Sequence, residues 1–309
     1  MGETPRERRA RLVGAAEEFG GVLSRHRLAE LGADRNVVAR EVRAERWRLH
    51  GARTVALHTG RLSDLAQWWR AVWEVGQGAV LDGVTALHAS GMKGFDEARV
   101  HVSVDHVCTP GPVEGVRIHR VRDTLEADSV GPGPPRVRPA VATVRAAQWA
   151  VTDRQAALLL CLPVQQGLVR AKDLCHVRWP GAHYGRTALV RQLVADLEDG
   201  AQSLGELDFA RFCRLRGLPT PSRQVVRRGP QGRIYLDVRW DEAGLVVEID
   251  GAQHRQGLAV TSDNLRRNHL LTAGDLVLTI DLVGLRLQPE AFMDQVVTAY
   301  RQLTLRRAG

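Results

Sequence analysis

The most informative pattern along the chain is the alternation of apolar and polar residues in YLDVRWDEAGLVVEIDGAQH, residues 235–254. Two strand-like runs flank the four-residue turn DEAG, and this loop length predicts a hairpin that starts with Trp240 opposite Leu245. The same register brings Asp237 opposite Glu248. Because side chains alternate along a strand, one face of the hairpin carries an apolar row. That row comprises Ile234, Leu236, Val238, Trp240, Leu245, Val247 and Ile249.

The second face of this hairpin concentrates negative charge. It receives Asp237, Glu248 and Asp250, and like charges placed opposite each other destabilise a sheet. Mg²⁺ and Mn²⁺ prefer carboxylate oxygens, and Glu206 can approach from the helix predicted just before the hairpin. The pattern favours a divalent-metal site suited to phosphodiester hydrolysis. The alternative is a solvated sheet face that arginines such as Arg239 screen.

The first 60 residues predict three short helices followed by a hairpin. Helix-start signals stand at Ser24 and Asp34, and glycines end the first two helices. The segment WRLHGARTVALH then alternates about a turn at Gly51. The order of these elements is typical of a winged helix-turn-helix. The residues predicted to point inward from the hairpin are Trp47, Leu49, Val55 and Leu57.

The third predicted helix, Arg35 to about Glu45, has a polar side that is rich in arginine. Val38 and Val42 supply its apolar spacing, so the other side is left for solvent or DNA. The residues predicted to contact DNA on this helix and at the start of the hairpin are Arg35, Asn36, Arg40, Arg43, Arg46 and Arg48. The alternative is a small domain for protein contacts whose arginines are merely solvated.

Residues 61–200 predict an α+β region. A helix carries apolar and aromatic residues at core spacing, and RVHVSVDHVC predicts a strand with GVRIHRV as its partner. On the first strand Val100, Val102 and Val104 are predicted to point inward, and His101, Ser103 and Asp105 outward. A metal cluster of His101, Asp105, His106 and Cys108 is the weaker interpretation, because polar residues on a half-exposed strand explain the same pattern.

From about Ser203 the order of predicted elements is helix, three strands, helix, strand, helix. The first strand covers Gln224 to Arg227, and the later elements are a helix near Asp263 to Ala273, a strand from Leu276 to Leu282 and a helix from Pro289 to Leu303. The sequence therefore predicts a mixed α/β domain at this end of the chain.

Composition narrows the functional classes only a little. The formal net charge of +8 favours an acidic partner such as nucleic acid, and the surplus lies mainly in residues 1–60 and 201–309. Nearly all basic residues are arginine, however, and a GC-rich genome produces the same bias. The four cysteines lack C-x-x-C spacing, no apolar run is long enough to span a bilayer, and the charged start lacks a signal-peptide pattern. We expect a cytoplasmic, nucleoid-associated protein without a membrane partner.

The segment from Ser203 to Leu305 resembles the PD-(D/E)xK nuclease superfamily, in the branch similar to very-short-patch repair endonucleases. The resemblance is carried by LDVRW, VVEIDGAQH and SDNLRRNHLLTAG, which occur in that order. It implies a restriction-endonuclease-like mixed sheet flanked by helices, with Mg²⁺ or Mn²⁺ as the cofactor. It also implies Asp237 and Glu248 as the strand acids, Glu206 as the helix acid and the carbonyl of Ile249 as a further metal ligand.

This sequence departs from the superfamily pattern at the lysine position. Asp250 stands there, and no lysine follows Lys172. His254 lies where the branch carries a histidine, and its ordinary pKa suits a general base or proton shuttle. The resemblance also implies that Asp263 and Arg266 orient the site or contact phosphate. Thr279 occupies a position where this branch often shows arginine.

The first 200 residues resemble the winged-helix and middle region of antitoxins of abortive-infection type IV toxin-antitoxin systems. GGVLSRHRLAELG and the predicted wing around Trp47 carry most of this likeness, and VTALHASG and the HVSV strand match the middle region. It implies promoter DNA, and a cognate toxin or a defence or repair protein, as partners. The expected domains are therefore residues 1–60, 61–200 and 201–309.

Three functions stay open at this point. The first is a DNA-binding, metal-dependent endonuclease, and the second is an antitoxin-like repressor with a degenerate, non-catalytic nuclease domain. The third is a protein-binding scaffold without DNA affinity.

Overall fold

The computed structural model describes residues 3–122, 129–130, 133–177, 186–199, 205–228, 234–250, 275–281, 285 and 288–308. At positions 206, 237, 250 and 281 it describes the backbone but not the side chain. Helices and mixed sheets make up these residues, which gives a mixed α/β architecture. The chain divides into two compact units, formed mainly by Met1–Ala146 and by Ala147–Val177 with Gly181–Gly309. The expected three-domain boundaries stay a prediction.

Two of the first three helices of the first unit begin at the caps that the sequence predicts, Ser24 and Asp34. The three helices are α1 (Pro5–Ala16), α2 (Arg25–Glu30) and α3 (Arg35–Arg43), with a 3₁₀ turn over Glu17–Phe19. The Ser24 hydroxyl accepts a hydrogen bond from the backbone N–H of Arg27, and the Asp34 carboxylate accepts one from Val37. Each cap satisfies a backbone donor that the first helical turn leaves without an intrahelical partner. The predicted caps at Ser24 and Asp34 are confirmed.

A three-stranded antiparallel sheet packs with these helices. Its strands are β1 (Val22–Ser24), β2 (Arg48–Leu49) and β3 (Thr54–Ala56), in the order β1-β3-β2. Trp47, Val55 and Leu57 are buried as predicted, but Leu49 is 42% exposed. The prediction for Leu49 is wrong because β2 is an edge strand, which among the described strands pairs with β3 alone.

A second sheet follows in the same unit. Its strands are β4 (Val80–Leu81), β5 (Val100–Asp105), β6 (Val116–Val121), β7 (Ser129–Val130) and β8 (Arg136–Val137), in the order β6-β5-β4-β8-β7. The helices in this part of the chain are α4 (Asp64–Val75), α5 (Gly83–Ala89) and α6 (Pro139–Trp149). The predicted pairing of β5 with β6 is confirmed, and it is parallel.

Polar residues of β5 are buried rather than directed at solvent. His101 and Ser103 have almost no exposed surface, so their predicted outward placement is wrong, whereas Asp105 is exposed as predicted. The His101 backbone N–H donates to Thr85 of α5, and the Ser103 hydroxyl donates to Asp82 at 2.6 Å. Both faces of the strand are therefore covered.

A buried ion pair stabilises this polar layer. Asp82 is fully buried and accepts hydrogen bonds from the Gly83 N–H at 2.6 Å and from a guanidinium nitrogen of Arg145 at 2.7 Å. Arg145 belongs to α6 and is itself buried. A buried carboxylate needs a cation and hydrogen bonds to offset the loss of water, and here α6 and β5 supply both.

The second unit contains the hairpin that dominates the sequence pattern. Its helices are α7 (Asp153–Gln165), α8 (Ala171–Cys175), α9 (Thr187–Asp199), α10 (Gly205–Leu215) and α11 (Pro289–Ala308). Its strands are β9 (Arg223–Arg228), β10 (Ile234–Trp240), β11 (Leu245–Asp250) and β12 (Leu276–Asp281). The helix expected near Asp263 to Ala273 lies outside the described residues.

The four strands pair in the order β12-β11-β10-β9. Strand β10 is antiparallel to both β9 and β11, while β11 and β12 are parallel. Trp240 pairs with Leu245 and Asp237 pairs with Glu248, which confirms the predicted register. The apolar face of the hairpin packs against α10 and α11 in a continuous core. That core includes Phe209, Cys213, Val238, Trp240, Leu245, Val247, Ile249, Met293 and Val296.

Within the described ranges, no helix combines the length and the apolar character that crossing a bilayer requires.

Two histidines, His101 and His119, lie together in the first unit. His119 of β6 lies 3.2 Å from His101, nitrogen to nitrogen. Burial, together with the nearby charges of His101, Arg117 and Arg145, lowers the pKa of His119 from 6.5 to about 3. The folded state therefore keeps this ring neutral at a pH where the unfolded chain protonates it.

We expect the free energy of unfolding to fall as the pH drops from about 6.5 toward 3, because the unfolded state then binds one more proton at His119. One proton corresponds to at most about 1.4 kcal/mol per pH unit. Denaturant unfolding at pH 7, 5.5 and 4.5 measures the slope, and His119→Gln should flatten it. His26→Gln is the control at an exposed histidine. Equal slopes for His119→Gln and the unchanged protein would contradict the prediction.

Candidate functional site

Helix α3 separates an exposed basic face from a buried apolar face. Val38 is buried, and Val37 and Val42 pack partly against the same core, as predicted. The exposed residues recur at helical spacing and therefore lie on one side of the helix. We call them the α3 basic face: Arg35, Asn36, Ala39, Arg40 and Arg43.

The α3 basic face keeps most of its positive charge uncompensated. Neither Arg35 nor Arg43 forms an ion pair within the part of the chain that the structure describes. Arg40 approaches a single carboxylate, that of Glu41, at 3.8 Å. Exposed guanidinium groups on one face of a helix are suited to phosphate contacts, since each offers several N–H donors in one plane.

Arg46 differs from the other predicted contact residues because it is bonded to a buried acid. Its Nε donates to Glu41 Oε2 at 2.6 Å, and Arg9 of α1 approaches the other oxygen at 3.4 Å. Burial acts to raise the pKa of Glu41, but the hydrogen bonds and charges of Arg46 and Arg9 together outweigh it, so the pKa lies below its ordinary value. Glu41 is thus a buried carboxylate beneath the basic surface, and the sequence pattern gave no indication of it.

The hairpin between β2 and β3 is held by a carboxylate from α4. Glu74 accepts hydrogen bonds from the backbone N–H of Ala52 at 2.9 Å, from that of Arg53 at 2.8 Å and from the Thr54 hydroxyl at 2.7 Å. Arg48 is exposed at the start of this hairpin. These three bonds fix the turn against α4, although Glu74 lies about twenty residues after the turn in the sequence.

In the second unit the backbone register brings acidic positions together. Asp237 on β10 is the direct partner of Glu248 on β11, and Asp250 is two residues further along the same strand. Directly opposed residues have Cβ atoms roughly 5 Å apart. Strand β12 adds Asp281 as the parallel partner of Asp250, an acid that the sequence pattern did not single out.

Glu248 is the acid of this group whose side chain the structure describes, and it is only 9% exposed. Thr279 is its backbone partner on β12. Arg239 follows Asp237 by two residues, so it occupies the same face of β10. Its guanidinium contacts Asp275 at 2.6 Å and Asp241 at 2.5 Å. These contacts lie at the turn end of the hairpin, away from the pair that Arg239 was expected to screen.

The remaining predicted site residues lie partly or wholly outside the described structure. Glu206 lies in α10, where its backbone alone is described, and Ile249 is a buried residue of β11. His254, Asp263 and Arg266 lie outside the described residues. Among the side chains that are described, no group of three or more His, Cys, Asp or Glu is placed to hold a metal ion. The metal-site residues therefore stay a prediction.

Comparison with known proteins found no family model and no curated protein that matches this chain.

The clamp on the hairpin makes a specific prediction at Gly51. This residue has a φ of 134°, and a Cβ atom there would overlap the Glu74 carboxylate. Gly51→Ala should therefore lower the free energy of unfolding by roughly 3 kcal/mol, through backbone strain and the loss of the Glu74 hydrogen bonds.

The matched control for Gly51→Ala is Gly32→Ala. Gly32 also has a positive φ, 79°, but a Cβ atom there would meet nothing within 4 Å. Gly32→Ala should therefore lower the free energy of unfolding by about 1 to 2 kcal/mol, from backbone strain alone. Denaturant unfolding of the two variants measures the difference. Equal costs would show that the Glu74 clamp contributes nothing.

Proposed function

We propose that the chain is a DNA-binding endonuclease that hydrolyses phosphodiester bonds with a divalent metal ion. The observation that carries this proposal is the direct pairing of Asp237 with Glu248 in the second unit. Two acids at opposed positions repel each other unless a cation lies between them. The guanidinium of Arg239, on the same face of β10, contacts Asp241 and Asp275 at the turn end of the hairpin.

The acidic pair fits Mg²⁺ or Mn²⁺, because both are hard cations that prefer carboxylate oxygens. In this proposal Asp237 and Glu248 hold the ion, with Glu206 and the Ile249 carbonyl as the further ligands that the resemblance implies. When bound, the ion supplies water activation and stabilises developing charge on the phosphate. Low exposure of Glu248 suits this role, since a carboxylate shielded from water interacts more strongly with charge.

Three further residues complete the proposed site by resemblance. His254 moves the proton of the attacking water, because an imidazole can change charge near neutral pH. Asp250 stands at the lysine position of the superfamily, so the charge stabilisation that a lysine gives must come from elsewhere. Arg266 is the proposed source, as a guanidinium that contacts phosphate.

The first unit supplies the DNA-binding surface in this proposal. The α3 basic face approaches the groove and the phosphates, with Arg46 and Arg48 beside it at the start of the hairpin. A winged helix-turn-helix binds DNA through such a helix and hairpin. The exposure of Arg35, Arg40 and Arg43 supports this part of the proposal.

Cleavage assays test the catalytic proposal. Plasmid, mismatched and branched DNA substrates, together with RNA, are incubated with Mg²⁺, Mn²⁺ or EDTA. We expect metal-dependent cleavage, and a loss of at least about a hundredfold in rate for Asp237→Asn and for Glu248→Gln. Glu290→Gln, which changes an exposed carboxylate on α11, is the matched control and should retain activity. Intact substrates under all metal conditions would refute the catalytic proposal.

The second candidate function is an antitoxin-like transcriptional repressor with a non-catalytic nuclease domain. The absence of any lysine after Lys172, together with Thr279 at the usual arginine position, favours it. This function needs the α3 basic face but not the acidic pair. It also accommodates a cognate toxin or a defence or repair protein as partner.

A mobility-shift assay with the upstream DNA of the protein's own gene separates the two candidates. We expect Arg40→Ala with Arg43→Ala to weaken binding at least about tenfold and to lower the salt slope by roughly two, because two phosphate contacts are lost. Arg154→Ala with Arg301→Ala removes the same charge from exposed positions of the second unit and should have little effect. A shift that survives Asp237→Asn in a protein without cleavage activity identifies the repressor. Unchanged binding by the Arg40 and Arg43 variant would remove both DNA-binding proposals.

A further inference from the structure

The end of α3 is joined to the following turn by both backbone and side chain. The Arg46 N–H donates to the Glu41 carbonyl at 3.1 Å, and the Glu45 N–H donates to the Val42 carbonyl at 3.0 Å. Glu45 adopts a φ of 53°, so this is a helix end with a left-handed residue. The side chains of Glu41 and Arg46 are also bonded, at 2.6 Å. The same two residues are thus linked twice.

The side-chain bond fixes Arg46 by one of its nitrogens. Glu41 contacts Nε, while the side chain of Arg46 as a whole remains 46% exposed and that of Glu41 only 2%. Within the described part of the chain, the outer amino groups of Arg46 make no further hydrogen bond. A guanidinium held at Nε keeps its planar pair of outer donors available for a phosphate.

Two further cations contact the same carboxylate. Arg40 of the α3 basic face lies 3.8 Å from Glu41 Oε1, and Arg9 of α1 lies 3.4 Å from it. Glu41 therefore hydrogen-bonds side chains from α1 and from the turn that enters β2, and it attracts Arg40 of the α3 basic face over a longer distance. A flexible arginine loses rotamer entropy when it binds phosphate, and an arginine ordered beforehand loses less.

We propose that Glu41 is a positioning residue for nucleic-acid binding, which orders Arg46 and Arg40 so that their outer N–H groups meet the phosphate backbone of duplex DNA. This inference rests on the proposed DNA-binding function of the first unit. In this proposal the buried acid Glu41 increases the affinity of the protein for DNA, although DNA is itself negatively charged.

Net charge and the positioning role predict opposite changes in DNA affinity when Glu41 loses its charge. Replacing a carboxylate near DNA by a neutral amide removes repulsion, so net charge alone predicts tighter binding. Loss of the charged Glu41 acceptor disorders Arg46 and Arg40, so the positioning role predicts weaker binding. Glu41→Gln separates the two, because the amide keeps the shape of the side chain.

The experiment measures the affinity for a 30-base-pair duplex by fluorescence anisotropy at several salt concentrations. We expect Glu41→Gln to bind about tenfold more weakly, with a salt slope close to that of the unchanged protein, because the phosphate contacts persist but are less ordered. Glu45→Gln is the matched control. It makes the same change in charge four residues away, at an exposed acid without an ion pair in the described structure, and should bind equally or more tightly.

A second variant keeps the test decisive if Glu41→Gln lowers thermal stability. Arg46→Lys retains the positive charge beside Glu41, but a lysine ammonium cannot bond Glu41 through one nitrogen and a phosphate through two others. We expect Arg46→Lys to weaken binding about as much as Glu41→Gln does. Wild-type affinity in either Glu41→Gln or Arg46→Lys would overturn the positioning role while leaving DNA binding intact. A wild-type protein that binds no duplex at low salt would instead end the proposed function, and this inference with it.

Discussion

The register of the hairpin from β10 to β11 is the constraint on which the second unit depends. Side chains alternate with a period of two, so a slip of one residue would move Trp240, Val238 and their partners from the core to the opposite face. The core with α10 and α11 excludes that slip, because it needs the apolar row on one side. The same register places Asp237 opposite Glu248. The register therefore determines both which apolar side chains are buried and which acidic positions are paired.

Local patterns predicted the elements of the fold well, because the forces that set them act within a few residues. The caps at Ser24 and Asp34, the apolar spacing of α3 and the hairpin register all depend on neighbours in sequence. The burial of the polar residues of β5 was not predicted, because it depends on residues that are distant in the sequence. Alternation shows that His101 and Ser103 share a face, but Ser103 is bonded to Asp82, 21 residues away, and Asp82 in turn to Arg145, so this face belongs to the interior.

The same distinction between local and non-local interactions applies to the predicted site residues. Exposure of the α3 basic face followed from helical periodicity, whereas the bond between Arg46 and Glu41 did not. A helix pairs residues three or four apart. Arg46 is five residues from Glu41 and lies beyond the helix end, where the left-handed residue Glu45 turns the chain back. The sequence pattern predicted DNA contact for both Arg46 and Arg43. In the described structure Arg46 is bonded to a buried carboxylate, whereas Arg43 forms no ion pair.

The acidic pair is not needed for the fold, and this bears on its function. The apolar row alone sets the register, so the opposite face could carry threonine or an oppositely charged pair at lower energetic cost. Asp237 and Glu248 instead occupy the directly opposed positions, and Glu248 is only 9% exposed. Such an arrangement is costly in a sheet that serves only as a scaffold. In the proposed function a bound cation would offset this cost, which is the physical link between the register of the hairpin and the proposed metal dependence.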